Sequence, residues 1–230
     1  MAKKSKKSAA DVTVVLPAKN EVDGIAGVVK SVLPFAGEVL VVDGHSTDGT
    51  AEAAAAAGAR VIADDGKGKG AGIRAGMAEA TGEILVFMDA DGSHEPSDIP
   101  KLVAPIREGK ADMVIGSRII GGSEDFHYNF EGIVRQSGND FLTWAVNARF
   151  KVNLTDIQNG FRAISKDNAL SLGLVADDFD IEQEMVMKCL KKGMKVIEVP
   201  SHEYARQWGE AKLFTSKGWK FLARLIKEII

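Results

Sequence analysis

Two carboxylates one residue apart, Asp89 and Asp91, are the side chains whose type and spacing most directly imply chemistry. They end five consecutive apolar residues, 84–88, within the stretch E-I-L-V-F-M-D-A-D-G-S-H-E-P-S-D-I. A run apolar on both faces fits a strand buried inside a parallel sheet. In open α/β sheets ligands gather beyond the carboxyl ends of the strands, so both acids would stand where a substrate binds. Side chains at i and i+2 of an extended backbone point the same way, which lets the pair share one hard cation suited to a diphosphate. The alternative is a polar turn, because Asp, Gly and Ser are common turn residues.

Three more polar groups stand in comparable places. Pro17, Lys19, Asn20 and Glu21 follow the first strand pattern, and Asp43, Ser46, Asp48 and Gly49 follow the second. Arg206 and Lys212 lie inside R-Q-W-G-E-A-K-L near the end of the chain. A carboxylate or amide after the early strands could hold a nucleobase and ribose, with the metal and the late cations on phosphates. Each group alone also fits ordinary loop polarity. His45, His94, His127 and His202 have no close i, i+4 pairing and no H-E-x-x-H context, so they read as loop polar residues, His94 standing nearest the acids.

The elements that would carry these groups alternate. Strand patterns at 12–16, 38–42, 60–63, 84–88 and 113–116 are separated by helical patterns, including one over 25–33, an alanine-rich run at 51–57 closed by Gly58, and others at 70–80 and 97–107. Short connections between alternating strands and helices predict a doubly wound, mostly parallel sheet. After Arg118 the pattern changes: 119–129 reads as a long loop, 132–150 as an amphipathic helix, 181–190 as another helix and 195–199 as a strand. Residues 201–217 are polar and loop-like. The last residues predict an amphipathic helix with Trp219, Leu222, Leu225, Ile226 and Ile229 on one side and Lys220, Arg224, Lys227 and Glu228 largely on the other.

Composition bounds the function. A chain of 230 residues, 45% hydrophobic, can bury one large core. One cysteine, Cys189, allows neither an internal disulfide nor a cysteine-based zinc site, and a reducing compartment follows. The formal charge of −3 includes Lys3, Lys4, Lys6 and Lys7 in the first ten residues, so the remainder is more acidic still, which argues against a nucleic-acid surface. Residues 1–10 read as a disordered basic tail without the apolar core of a signal peptide. No uninterrupted run reaches about 18 apolar residues, so no transmembrane helix is expected and any membrane is met from outside the bilayer.

The segments V-V-L-P-A-K-N-E, V-V-D-G-H-S-T-D-G-T, G-K-G-A-G-I-R-A-G, F-M-D-A-D-G-S-H-E-P, I-G-S-R, N-G-F-R and G-E-A-K-L, in that order, resemble the family 2 glycosyltransferases. Within that family the likeness is to dolichol-phosphate mannose synthases and related polyprenyl-phosphate hexosyltransferases. The resemblance implies an α/β, GT-A (Rossmann-like) fold, a mostly parallel sheet flanked by helices with a C-terminal amphipathic helix. It implies a catalytic domain over 11–214 and the helix over 215–230. It implies an inverting, metal-dependent transfer of a hexose of mannose or glucose type from a nucleoside-diphosphate sugar, GDP-mannose or a UDP-hexose, to a polyprenyl or dolichyl phosphate.

By position, the resemblance puts Pro17, Lys19, Glu21, Val42 and Asp43 in the nucleoside pocket. Asp89, Ala90 and Asp91 match the D-x-D segment that holds Mg²⁺ or Mn²⁺ against the donor diphosphate. Arg118 falls near the donor sugar and acceptor phosphate, Arg206 and Lys212 on phosphate groups, and Arg135 and Asn139 on the helix facing the lipid phosphate. It also implies a peripheral position on the cytoplasmic face of a membrane, with small membrane partner subunits possible and no nucleic acid. This chain departs from the family pattern at Lys19 and Gly44 in the nucleoside pocket, at Ser93 beside the metal and at Ala211, which leaves the base open. The competing readings are a soluble family 2 transferase with a non-lipid acceptor, a nucleotide-sugar-binding module, and a nucleotidyltransferase; the last usually carries a glycine-rich loop at the first strand, where this chain has P-A-K-N-E.

Overall fold

The computed structural model describes residues 9–124, 130–208 and 218–229, with side chains throughout except at 130–135. The first five strand patterns form as β1 (Val12–Ala18), β2 (Glu38–Asp43), β3 (Arg60–Ala63), β4 (Ile84–Phe87) and β5 (Met113–Ser117). A strand that the sequence pattern does not announce follows, β6 (Arg162–Ser165), and then β7 (Val196–Pro200). β6 is four residues long with a charged first residue, too short to show a period of two.

The seven strands lie in the order β3-β2-β1-β4-β6-β5-β7. β6 runs antiparallel to β4 and β5, and the other pairings are parallel. The mostly parallel sheet flanked by helices is borne out, with one reversed strand, β6, between two parallel sets. Helices α1 (Val22–Val32), α2 (Thr50–Ala56), α3 (Lys69–Glu79) and α4 (Ile99–Arg107) connect the strands. Gly58 follows α2 with φ +107°, the left-handed stop expected of it.

Successive residues of β1 face opposite sides, as period two requires: Val15 joins a core with Ile73 and Met77 of α3, and Val14 and Leu16 join another with Ile25 and Val29 of α1. Where a long loop was expected at 119–129, a single helical turn α5 (Arg118–Gly121) follows β5, and 125–129 lie outside the described residues. Next come α6 (Phe130–Phe150), α7 (Lys166–Ser171), α8 (Ile181–Lys191) and the C-terminal α9 (Gly218–Ile229).

α9 packs on α6 and α8, and the expected apolar stripe divides. Phe221 and Leu225 are buried, whereas Trp219, Leu222 and Ile226 are exposed. The division has an electrostatic cause. Arg224 is drawn inward by Asp180 at 2.9 Å and Glu184 at 3.2 Å, Lys220 by Asp178 at 2.9 Å, and buried Glu228 by Lys191 at 3.0 Å. No helix among the described residues is long and apolar enough to cross a membrane.

Candidate active site

Strand order reverses about β1, which has β2 on one side and β4 on the other, and the carboxyl ends of these three strands open one crevice. Register sets Pro17 beside Val42 and Ala18 beside Asp43. Asp43 is buried; its Oδ2 accepts the Ser46 amide at 3.1 Å, while Oδ1 has no partner. Asn20, at φ +51°, knits the two loops together: its amide donates to Ser46 Oγ at 2.9 Å and its Oδ1 accepts the Thr47 amide at 2.9 Å. Glu21 is buried, with its backbone amide on Thr50 Oγ1 at 2.8 Å, and the Lys19 stem lies against Gly44 while the residue stays exposed.

Asp89 stands at the centre of a charged cluster. Lys69, the first residue of α3, places Nζ 2.6 Å from Asp89 Oδ1 and 2.8 Å from Glu182 Oε1 on α8. The ammonium also lies 5.4 Å from the Phe179 ring centroid. On the other side His94 Nε2 is 3.5 Å from Asp89 Oδ2, with the imidazole stacked on Phe161 and its Nδ1 without a partner. Burial opposes ionisation of Asp89, yet the Lys69 ammonium and His94 hold its carboxyl well below the usual range. Burial likewise opposes the Lys69 charge, and Asp89 and Glu182 overcome it, keeping the ammonium above its ordinary value.

Asp91 is held differently. Its Oδ1 accepts the Ser93 amide at 3.0 Å and Ser93 Oγ at 2.6 Å, and its Oδ2 lies 2.7 Å from Arg206 Nη2. Arg118, at the start of α5, forks onto Asp156 with Nε at 2.6 Å and Nη2 at 2.9 Å, and reaches Glu203 with Nη1 at 3.4 Å. Burial lowers the Arg118 pKa and the two acids raise it by more.

The structure thus brings Pro17, Val42, Asp43, Glu21, Asp89, Ala90, Asp91 and Arg206 to one crevice, with Arg118 joined to it through Glu203, whose backbone bridges to His94. Lys212 lies outside the described residues, as does the side chain of Arg135; Asn139 is half-buried on α6. Each of the two carboxylates has its own side-chain cation, Lys69 on Asp89 and Arg206 on Asp91. Lys69, Glu182, Asp156 and Trp208 are the site residues that sequence reasoning missed, and His94, noted for its nearness to the acids, was otherwise read as a loop polar residue. Among those missed, Lys69 carried a usable signal, a cation between glycines at the start of a helix pattern.

A divalent cation fits this donor set. Among the described residues no three acids, histidines or cysteines gather into a closed cage. Asp89 and Asp91 offer hard carboxylate oxygens, which suit an ion such as Mg²⁺ that takes its remaining ligands from a diphosphate and water. The guanidinium on Asp91 marks a point where the fold already holds positive charge.

Comparisons with known proteins bear on the family and the fold. The family model described as "Glycosyl transferase family 2" matches residues 13–169. Glycosyltransferase AglJ of Haloferax volcanii is 35% identical over 86% of this chain, which spans 64% of that relative's length. The undecaprenyl-phosphate mannosyltransferase of Micrococcus luteus is 31% identical over 88% of this chain and 87% of its own. Glucosyl-3-phosphoglycerate synthase of Mycobacterium tuberculosis, crystallised with Mn²⁺, UDP and glucosyl-3-phosphoglycerate, superposes with a TM-score of 0.75 at 23% identity, covering 96% of this chain and 82% of that one. That last likeness concerns the fold, a GT-A fold. With the motifs in family order, the D-x-D pair at the end of β4 and the match over most of the sheet, this chain belongs to glycosyl transferase family 2.

Proposed function

We propose that the protein is an inverting, metal-dependent glycosyltransferase that moves a hexose from a nucleoside-diphosphate sugar to a polyprenyl phosphate. The observation that carries this reading is one crevice holding a buried, unpartnered acceptor on Asp43, the Asp89/Asp91 pair, and the cations Lys69 and Arg206. Pro17 and Val42 wall the nucleoside end, with Lys19, Glu21 and Asp43 supplying its polar groups. Asp89 and Asp91 would hold Mg²⁺ or Mn²⁺, which supplies neutralisation of the leaving diphosphate.

An acceptor phosphate monoester has a second pKa of about 6, so near neutral pH it is largely a dianion and already nucleophilic. No strong general base is required. Arg206 and Lys212 are assigned to the developing diphosphate charge and Arg118 to the sugar and acceptor phosphate. Direct attack on the anomeric carbon inverts its configuration.

The lipid acceptor is supported by the M. luteus relative and by the dolichol-phosphate mannosyltransferase of Pyrococcus furiosus, 28% identical over 94% of this chain. Exposed Trp219, Leu222 and Ile226 on α9, with Phe141 and Trp144 on α6, support a peripheral seat on a membrane surface. A second reading, a small phosphorylated acceptor, is supported by the fold likeness to the phosphoglycerate-glucosylating enzyme.

The test is transfer from GDP-mannose, UDP-glucose and UDP-N-acetylglucosamine, with Mn²⁺, to a polyprenyl phosphate or to phosphoglycerate. Nucleoside diphosphate release with an inverted glycolipid is expected. Transfer only to phosphoglycerate establishes the second reading, and release of pyrophosphate or of nothing refutes both.

A further inference from the structure

The two carboxylates are held by cations of opposite kinds. Lys69 is fixed: its side chain is 15% exposed, set between Asp89 and Glu182. Arg206 is 33% exposed and sits in 201–208, a stretch with neither helix nor strand between β7 and α9. That stretch lies along the backbone of the D-A-D-G-S loop. The Tyr204 amide donates to Ser93 O at 2.8 Å and the Gln207 amide to Asp91 O at 3.3 Å. Gln207 Nε2 reaches Gly92 O at 3.3 Å, and Trp208 Nε1 donates to Ala90 O at 3.2 Å.

The Trp208 indole rests on Gly24 of α1 and on Gly92, and a methyl on either glycine would overlap it. Two glycines from separate parts of the chain thus form the seat of one indole, two residues beyond Arg206. The seat delivers the guanidinium to Asp91 at 2.7 Å, with Glu21 at 3.9 Å behind it. A divalent ion on Asp91 Oδ2 would set its charge directly against this guanidinium, and the repulsion between the two cations opposes their joint occupancy.

We propose that Arg206 is an internal competitor for the metal position. In the empty site it closes Asp91 to free divalent ions. It yields when the ion arrives on a nucleoside diphosphate, because the guanidinium fork then exchanges one anion for another rather than losing its partner. Free metal offers no such replacement. The site therefore selects the metal–nucleotide complex over the bare ion, and Trp208 is the positioning residue that enforces the selection. The inference rests on the metal–nucleotide reading above.

Mn²⁺ binding followed by electron paramagnetic resonance, with and without UDP or GDP, tests it. Without nucleotide, Arg206→Gln should bind Mn²⁺ about tenfold more tightly than the unaltered chain, the scale of an ordinary coupling between two ligands. With nucleotide, the same variant should gain less affinity than the unaltered chain does. Gly24→Ala is the second variant: its methyl evicts the indole while alanine improves the helix, so folding is retained and Mn²⁺ binding should also tighten. Unchanged or weaker Mn²⁺ binding by both variants without nucleotide overturns the proposal while leaving Mn²⁺–nucleotide binding by the unaltered chain intact. Absence of that binding in the unaltered chain instead overturns the metal–nucleotide reading and this inference together.

Discussion

Replacing Lys69 by methionine keeps the stem and deletes the charge that holds two acids together. The ammonium lies 2.6 Å from Asp89 and 2.8 Å from Glu182, whose side chains are 30% and 4% exposed. Removing one partner of a buried ion pair costs about 3–5 kcal/mol, since the other charge is left without compensation. Water reaches Asp89 and screens its share, so the loss falls mainly on Glu182 and should sit near the lower end, about 3 kcal/mol. A double-mutant cycle isolates the cause. Glu182→Gln added to Lys69→Met removes the stranded charge and should restore at least about 1.5 kcal/mol, a coupling within the range seen for directly paired residues. The assay is equilibrium urea unfolding at pH 7.5, with the four m values compared so that a change in midpoint reports stability. A loss below about 1 kcal/mol for Lys69→Met, or additive losses in the double variant, refutes the assignment of Lys69 as the counter-ion of both acids.

Two further outcomes follow from the same cluster. Asp89 has a folded-state pKa below its unfolded value near 3.9, so its contribution is present above that pH and is lost as pH falls through the folded value. Lys69 is the chief group opposing burial there, so the fall in stability below about pH 4 should be steeper in the unaltered chain than in Lys69→Met; parallel acid limbs in urea titrations would contradict it. Gly160→Ala would put its methyl 2.9 and 3.1 Å from the Asp89 carboxylate oxygens and 3.1 Å from Lys69 Nζ. It should lose about 1–3 kcal/mol of stability and weaken Mn²⁺–nucleotide binding, and a variant equal to the unaltered chain in both would show that the carboxylate is not held against this glycine.

Much of the site was legible because burial constrains sequence. A strand apolar on both faces has to lie inside a parallel sheet, and the polar residues that end it have to stand in the crevice, which placed Asp43, Asp89 and Asp91 before any coordinate. What could not be read were partnerships between distant segments. Nothing local to Lys69 points to Glu182, and nothing local to Arg206 points to Asp91 or to a tryptophan seat at Gly24. Glu182 and Arg206 also lie beyond the span matched by the family model, 13–169. On α9 helical spacing gave an amphipathic element but not which residues of its apolar stripe pack, because ion pairs with other helices hold Arg224 and Glu228 inward while Trp219, Leu222 and Ile226 stay outside.

The reversed strand β6 explains why N-G-F-R, one of the segments shared with the family, belongs to the site. In a purely parallel sheet the residues preceding a strand lie at the opposite edge from those following its neighbour. β6 is antiparallel to β4, with Phe87 opposite Arg162, so the residues just before β6 sit beside those just after β4. That places Asn159, Gly160 and Phe161 under Asp89, and each does something different. Asn159 Nδ2 donates to Gly116 O and anchors the turn to β5; Gly160 has no side chain where Asp89 and Lys69 press in; Phe161 stacks on His94. Arg162, 1% exposed, donates to the carbonyls of Asn159, Ile157 and Glu182, so the same guanidinium that shapes the turn also fixes the segment that presents Glu182 to Lys69. Burial disfavours its charge, and the planar fork places Nε, Nη1 and Nη2 on carbonyls in different directions, a spread that the single ammonium of lysine lacks. The direction of one short strand therefore decides whether Asp89 and Lys69 have a floor, because only a reversed β6 brings Gly160 beneath them.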